Sequence, residues 1–387
     1  MTITINSIIS AGLMTVLTSS VFALNDEPNL TFSQSVDEVF ADHNTSDTPG
    51  CSVGVIKDGK FIHQAGYGMA SLELDVKIVP DTVFRIASVS KQFTAAAVLL
   101  LVDDGLVDLD ADIGSYLTDL PEYKHKVTVR SMLGHYSGMK GYGHISGSYE
   151  GPKEASEVDL RSPLGRPFRI GNEDYLTNDE FYEVVKKLKL KHEPDTKFEY
   201  NNIGYYLLSK LVEVRTGKSL RAFADERIFG PLGMTNSYFS DQPFEIIKNR
   251  AQGYKPKKGG GYVNDMTNLF TVGDGGLHTS VNDMLKWDQN FYNPKLGKDP
   301  AAFKTAMNTP TSAHKSGDSL YAYGQSKRVI EGRNAYTHSG GWLGTTSYYA
   351  RFEDDSLSVI SLCNDANISK LGDRVIAVVD AYFTGQK

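Results

Sequence analysis

The chain has 387 residues, is 40% hydrophobic and 22% charged, and carries a formal charge of −7 at pH 7. This is the composition of a globular protein of two or three domain-sized units, not of a disordered or fibrous chain. No block of lysine and arginine appears, which argues against nucleic acid as a partner, and no stretch beyond the N-terminus is long and apolar enough to span a membrane.

The first 23 residues, Met1 to Ala23, carry no charged side chain. Ile8 to Leu17 is mostly apolar, and Val21-Phe22-Ala23 has the form of a cleavage site, so 1–23 is expected to be a signal peptide. The n-region lacks the usual lysine or arginine. Residues 28–387 are then one exported domain, secreted or periplasmic. After an amphipathic piece at Phe32 to Phe40, Cys51 to Ile56 and Phe61 to Tyr67 read as two strands joined by an Asp58-Gly59 hairpin turn. Pro80-Asp81 marks a boundary. Ala95 to Leu101 (Ala-Ala-Ala-Val-Leu-Leu-Leu) is apolar all round, as a buried helix must be. At its start stands Ser88-x-x-Lys91. Residues three apart share a helix face, so this lysine can reach this hydroxyl. Alone, the pattern also fits an N-cap and a solvated lysine.

Leu106 to Leu117 alternates apolar and acidic residues, and Val127 to Arg130 leads into a short helix at Ser131-Met132-Leu133, closed by Ser137-Gly138. Lys140 to Thr177 is too long for a passive connector and is expected to form a lobe or lid beside a site. Asn178 to Leu188 keeps helical spacing with Phe181, Val184, Val185 and Leu188. Tyr200 to Thr216, Phe223 to Leu232 and Thr279 to Phe291 also read as helical, with a flexible loop expected at Lys255 to Tyr262. Strands return at Asn334 to Ser339, Thr345 to Phe352 and Leu357 to Cys363, with turns expected at Gly340-Gly341 and Glu353 to Asp355. A last helix covers about Leu371 to Phe383. The fold expected is therefore α+β and two-lobed. An antiparallel sheet is built from both chain ends (about 28–84 and 263–387) and flanked by helices, with an all-helical lobe inserted at about 85–262. A cleft between the lobes is the natural ligand site.

Three motifs follow one another along the chain: Ser88-x-x-Lys91, Tyr200-Asn201-Asn202 and His338-Ser339-Gly340-Gly341. Their order and chemistry resemble the serine β-lactamase and penicillin-binding hydrolase family, in its class C β-lactamase, DD-peptidase and family VIII esterase branch. The likeness runs from about residue 36 to the C-terminus. It implies a β-lactamase/transpeptidase-like fold and an acyl-enzyme on Ser88. Lys91 or Tyr200 would be the base, and the residues leave that choice open. Bringing a lysine from about 10.4 to near neutral takes roughly 4–5 kcal/mol of differential stabilisation. Asn202, His338, Ser339 and Gly340 would bind substrate, and the N–H groups of Ser88 and Gly341 would form the oxyanion hole.

His338 departs from the lysine usual in β-lactamases. Histidine carries charge only conditionally, which suits a peptidase- or esterase-like site. Trp342-x-Gly344 resembles an element of the esterases. The fold also makes the strands bearing Cys51 and Cys363 antiparallel neighbours, so the resemblance implies proximity and allows a disulfide. His135, and Asp274 with His278, read as structural. His63, His125, His144, His192 and His314 show no metal spacing, so neither metal nor cofactor is expected. The reading is an exported serine hydrolase of D-Ala-D-Ala-type peptides, β-lactams or small esters, monomeric by default. The alternative from another class is a non-catalytic binding or regulatory protein of the same fold.

Overall fold

The computed structural model describes residues 31–145, 177–242, 245–267, 269–368 and 370–385. The expected signal peptide and most of the stretch from Lys140 to Thr177 lie outside them. Among the described residues no helix is long and apolar enough to cross a membrane.

Among the described residues eight strands form the large sheet: β1 (Cys51–Lys57), β2 (Lys60–Tyr67), β3 (Pro310–Ser316), β4 (Ser319–Ala322), β5 (Gln325–Ile330), β6 (Arg333–Trp342), β7 (Thr345–Phe352) and β8 (Leu357–Cys363). Their order is β3-β4-β5-β6-β7-β8-β1-β2, antiparallel throughout, so the sheet is indeed built from both chain ends. Asp58 and Gly59 both take positive φ, 51° and 72°, the conformation a two-residue hairpin demands. Cys51 pairs directly with Cys363 and the two are joined by a disulfide.

Side chains alternate across the sheet and feed two cores. One face is covered by the terminal helices, α1 (Phe32–Val39) and α5 (Leu371–Thr384). There Val36, Phe40, Val375 and Val379 meet Val53, Val55, Ala350 and Val359. The other face supports the larger core, built on α2 (Lys91–Asp103), α3 (Asn202–Thr216) and α4 (Val281–Gln289). Every residue of α2 from Lys91 to Leu101 is buried, which explains a sequence with no polar stripe. Truncating one of its leucines to alanine costs about 2–5 kcal/mol.

The structure departs from the sequence reading in four places. Strands β3, β4 and β5 extend the sheet beyond β6. Strand β6 does not end at Gly340-Gly341 but runs through both to Trp342, and the turn falls at Leu343-Gly344. Lys255 to Tyr262 is a two-stranded hairpin, Tyr254–Pro256 against Tyr262–Asn264, with Gly259, Gly260 and Gly261 in positive φ at its end. The inserted region is therefore not all-helical. It also contributes Tyr238–Phe239, an edge strand of a small three-stranded sheet in which Leu277–Thr279 lies between it and Phe84–Arg85.

Candidate active site

Ser88 sits in a 3₁₀ turn, Ala87–Ser90, that runs straight into α2. Ala87 takes φ 45°, a left-handed conformation that costs a non-glycine residue about 1–2 kcal/mol. The surroundings enforce it. Phe84–Arg85 is locked against Leu277–Thr279, and the Ile86 carbonyl accepts from the Ser347 hydroxyl at 2.8 Å. The turn thereby presents the Ser88 side chain, half-buried, at the first turn of a rigid helix.

Lys91 is fully buried, and its Nζ donates to three oxygens: Ser88 Oγ at 3.0 Å, Asn202 Oδ1 at 2.9 Å and the Asp274 carbonyl at 2.5 Å. Two of these can only accept. A hydroxyl can also donate. An ammonium would satisfy all three. A neutral amine would keep its protons on Asn202 and Asp274 and turn its lone pair to the Ser88 hydroxyl. The Asp274 carbonyl is held in place because α2 is tied to its segment: Thr94 Oγ1 donates to Gly273 O at 2.7 Å, and Ser90 Oγ accepts from Leu277 N at 3.2 Å.

Asn201 caps α3, its Oδ1 accepting from Gly204 N at 2.9 Å, and also donates to Met139 O at 2.6 Å. Its own N–H is held by His135 Nδ1 at 3.1 Å. The cap fixes both neighbours: Asn202 turns to Lys91, and the ring of Tyr200 lies 5.0 Å from Lys91 Nζ and 4.2 Å from the His135 ring. Tyr200 is 42% exposed, at the mouth of the site. His135 is buried and held neutral by burial and by the Lys91 charge, consistent with a packing role.

Strand β6 brings up the other wall. Gly340 packs so closely on the Ser88 turn that a Cβ there would sit 2.3 Å from Ile86 O and from Ser347 Oγ, and 3.1 Å from Ser88 N. Gly341 has open space beside it. His338 Nδ1 faces the Ser339 carbonyl at 2.6 Å, so Nδ1 carries the proton and Nε2 accepts from the Tyr321 hydroxyl at 2.9 Å. Burial, and secondarily the Lys91 charge, push its pKa down to about 3. The conditional positive charge expected of His338 is therefore absent at physiological pH.

His338 and Ser339, which alternate across β6, line a cavity of about 270 Å³ together with Tyr200, Tyr321 and Arg328. Arg328 escaped the sequence reading. It is half-buried on β5, its Nη2 donates to Tyr348 Oη at 2.9 Å, and its Nε finds no partner among the described residues. The Asp274 carbonyl was likewise invisible, because a backbone atom leaves no side-chain signal.

This is the arrangement of a penicillin-binding type of hydrolase fold, and the comparisons agree. The Beta-lactamase family profile matches residues 36–381, and the chain belongs to that family. It is 25% identical over 329 residues to a D-aminopeptidase of Gluconobacter oxydans (85% of this chain, 58% of the relative) and 26% identical over 317 residues to a D-aminopeptidase of Brucella anthropi (82% and 56%). The chain thus spans little more than half the length of these curated relatives. Among solved structures it resembles the octameric penicillin-binding protein homologue from Pyrococcus abyssi, with TM-score 0.73 and 25% identity over 92% of this chain and 77% of that one. It shares its fold with the D-amino acid amidase of Ochrobactrum anthropi SV3 solved with L-phenylalanine amide, with TM-score 0.72 and 22% identity over 92% and 99%.

Proposed function

We propose that the protein hydrolyses short D-amino-acid amides and peptides, or esters of similar size, through an acyl-enzyme on Ser88. The observation that carries this is the coordination of Lys91: two pure acceptors and one hydroxyl, with the hydroxyl oxygen 3.0 Å away. In this reading Ser88 Oγ attacks the carbonyl carbon and Lys91 Nζ takes its proton. The oxyanion is held by the N–H groups of Ser88 and Gly341. Tyr200, at the open mouth of the cleft, passes a proton to the leaving group as the C–N or C–O bond breaks and is reprotonated from Lys91, whose Nζ lies 5.0 Å from its ring centroid. Water then cleaves the acyl-enzyme and restores the Ser88 hydroxyl.

The D-amino-acid preference draws on the names of the relatives. The leaving-group side draws on the cavity. With His338 neutral, Arg328 is the cation beside Ser339, so a substrate carboxylate on that side is bound by Arg328 rather than by the histidine. Export to the periplasm or medium is part of the proposal. The Cys51–Cys363 disulfide supports it, since such bonds persist in oxidising compartments. A panel of D-alanine p-nitroanilide, D-Ala-D-Ala peptides, a fluorescent penicillin and p-nitrophenyl esters, run on wild type and Ser88→Ala, tests the reading. Turnover of any of them that vanishes in Ser88→Ala supports it. Turnover that survives the substitution defeats it, and none across the panel defeats it in favour of the non-catalytic binder.

A further inference from the structure

Arg85 stands three residues before Ser88, opposite His278 in the small sheet. It is 8% exposed. One Nη donates to Leu269 O at 3.0 Å, its Nε has no partner, and no carboxylate lies within ion-pairing distance among the described residues. Asp274 acts on it through space and offsets part of its charge: its Oδ2 is taken by the Tyr142 hydroxyl at 2.8 Å, while its buried Oδ1 has no partner among the described residues. A buried guanidinium costs several kcal/mol unless an anion accompanies it. Burial lowers its pKa to about 10, which still leaves it charged.

Arg85 lines a cavity of about 40 Å³. One water needs roughly 10–15 Å³ on this measure, so the space suits a carboxylate- or phosphate-sized group. Arg250 lines it too, exposed and without a carboxylate partner among the described residues. Asp265 also lines it, but pairs with Lys255 at 2.8 Å. His278, in the same wall, is held neutral near 3 by burial and by the charges of Arg85 and Arg250, so it adds no charge of its own. The far wall is Trp342, whose Nε1 donates to Thr267 Oγ1 at 2.8 Å.

The placement along β6 gives the cavity its meaning. His338 and Ser339 line the Arg328 cavity, Gly340 touches the Ser88 turn, and Trp342 lines the Arg85 cavity. Gly340 and Trp342 are two residues apart, about 7 Å along the strand, so the Arg85 cavity begins about two residues' length from the turn that carries Ser88.

We propose that the cavity between Arg85, Arg250 and Trp342 is a second subsite, which binds a small oxyanion, carboxylate or phosphate, beside Ser88. The oxyanion is either a free anion or an acidic group on the acyl side of the substrate. Only the second source rests on Ser88 being the nucleophile.

The test is a thermal-shift titration of the full chain with inorganic phosphate, at ionic strength held constant with chloride, on wild type, Arg250→Gln and Arg328→Gln. A saturable rise in Tm is expected in wild type and Arg328→Gln, with the apparent Kd at least tenfold weaker in Arg250→Gln. The exposed site of Arg250 makes that variant safe for folding. No saturable shift in wild type overturns the proposal. So does a shift that survives in Arg250→Gln and disappears in Arg328→Gln, which would place the anion in the other cavity. Comparing kcat/KM for p-nitrophenyl hydrogen succinate and p-nitrophenyl butyrate separates the sources. If the anion is the substrate's own, the succinate preference falls about tenfold in Arg250→Gln. If it is a free anion, phosphate binding weakens in Arg250→Gln as above while the succinate preference is unchanged.

Discussion

The contact between Gly340 and the Ser88 turn makes the sharpest mutational prediction. In Gly340→Ala the new methyl would sit 2.3 Å from Ile86 O and 2.3 Å from Ser347 Oγ. The hydroxyl can rotate at the cost of its bond to the same Ile86 carbonyl, but the carbonyl is fixed by the strand pairing before it. Relieving the clash therefore moves β6 away from the turn by about 1 Å. A displacement of that size between a nucleophile and its oxyanion donors costs about 10²-fold in rate, or roughly 2.7 kcal/mol. Overpacking of this kind also removes about 1–3 kcal/mol of stability. Gly341→Ala is the control, since a Cβ there meets nothing within 4 Å. Esterase kinetics with p-nitrophenyl butyrate and thermal melts would read both. The expectation is a hundredfold loss with a lower Tm for Gly340→Ala, and less than a tenfold change with unaltered Tm for Gly341→Ala. A Gly340→Ala enzyme within threefold of wild type would refute the reasoning.

Other consequences follow from charge and cross-linking. His278 and His338 stay neutral in the fold down to about pH 3 but take a proton near 6.5 when unfolded. The unfolded state then binds more protons, so stability falls as pH drops below about 6.5, by up to about 1.4 kcal/mol per unit for each histidine. Urea midpoints between pH 7 and 5 should fall, and less so in His278→Asn; a flat profile contradicts the assignment. Arg328→Gln is expected to lower kcat/KM for a substrate with a free carboxylate by tenfold or more while sparing its amide, and equal losses on both would exclude the charge role. Removing the disulfide with Cys51→Ala/Cys363→Ala should cost about 2–5 kcal/mol in urea unfolding, because the bond closes a loop of 312 residues; an unchanged midpoint would show that the bond contributes nothing.

Much of the architecture was written in local signals. The Asp58-Gly59 turn and the buried run of α2 each follow from a few residues with one conformational solution, whereas the opposition of Cys51 to Cys363, 312 residues apart, was implied only by the family resemblance. The sites of misreading share a cause, which is that tertiary context decided the outcome. Gly340-Gly341 looks like a turn, yet the strand continues because Gly340 must lie against Ile86 and Ser88. Strands β3 to β5 are rich in serine, lysine and arginine and form the sheet edge away from β1–β2, so they lack the apolar alternation that marks a half-buried strand. Within the site, Ser88, Lys91 and Asn202 were legible because their side chains meet one another. The third partner of Lys91 is a backbone carbonyl, and Arg328, on a strand with no motif, lines the same cavity as the motif histidine.

The central claim is that Ser88 carries an acyl group during turnover. Wild type and Ser88→Ala, each mixed with a fluorescent penicillin, quenched in acid and weighed intact, test it most directly. The account predicts one added acyl mass in wild type, mapping to the peptide that contains Ser88, and none in the variant. An adduct that persists in Ser88→Ala, or one that maps to another residue, would contradict it.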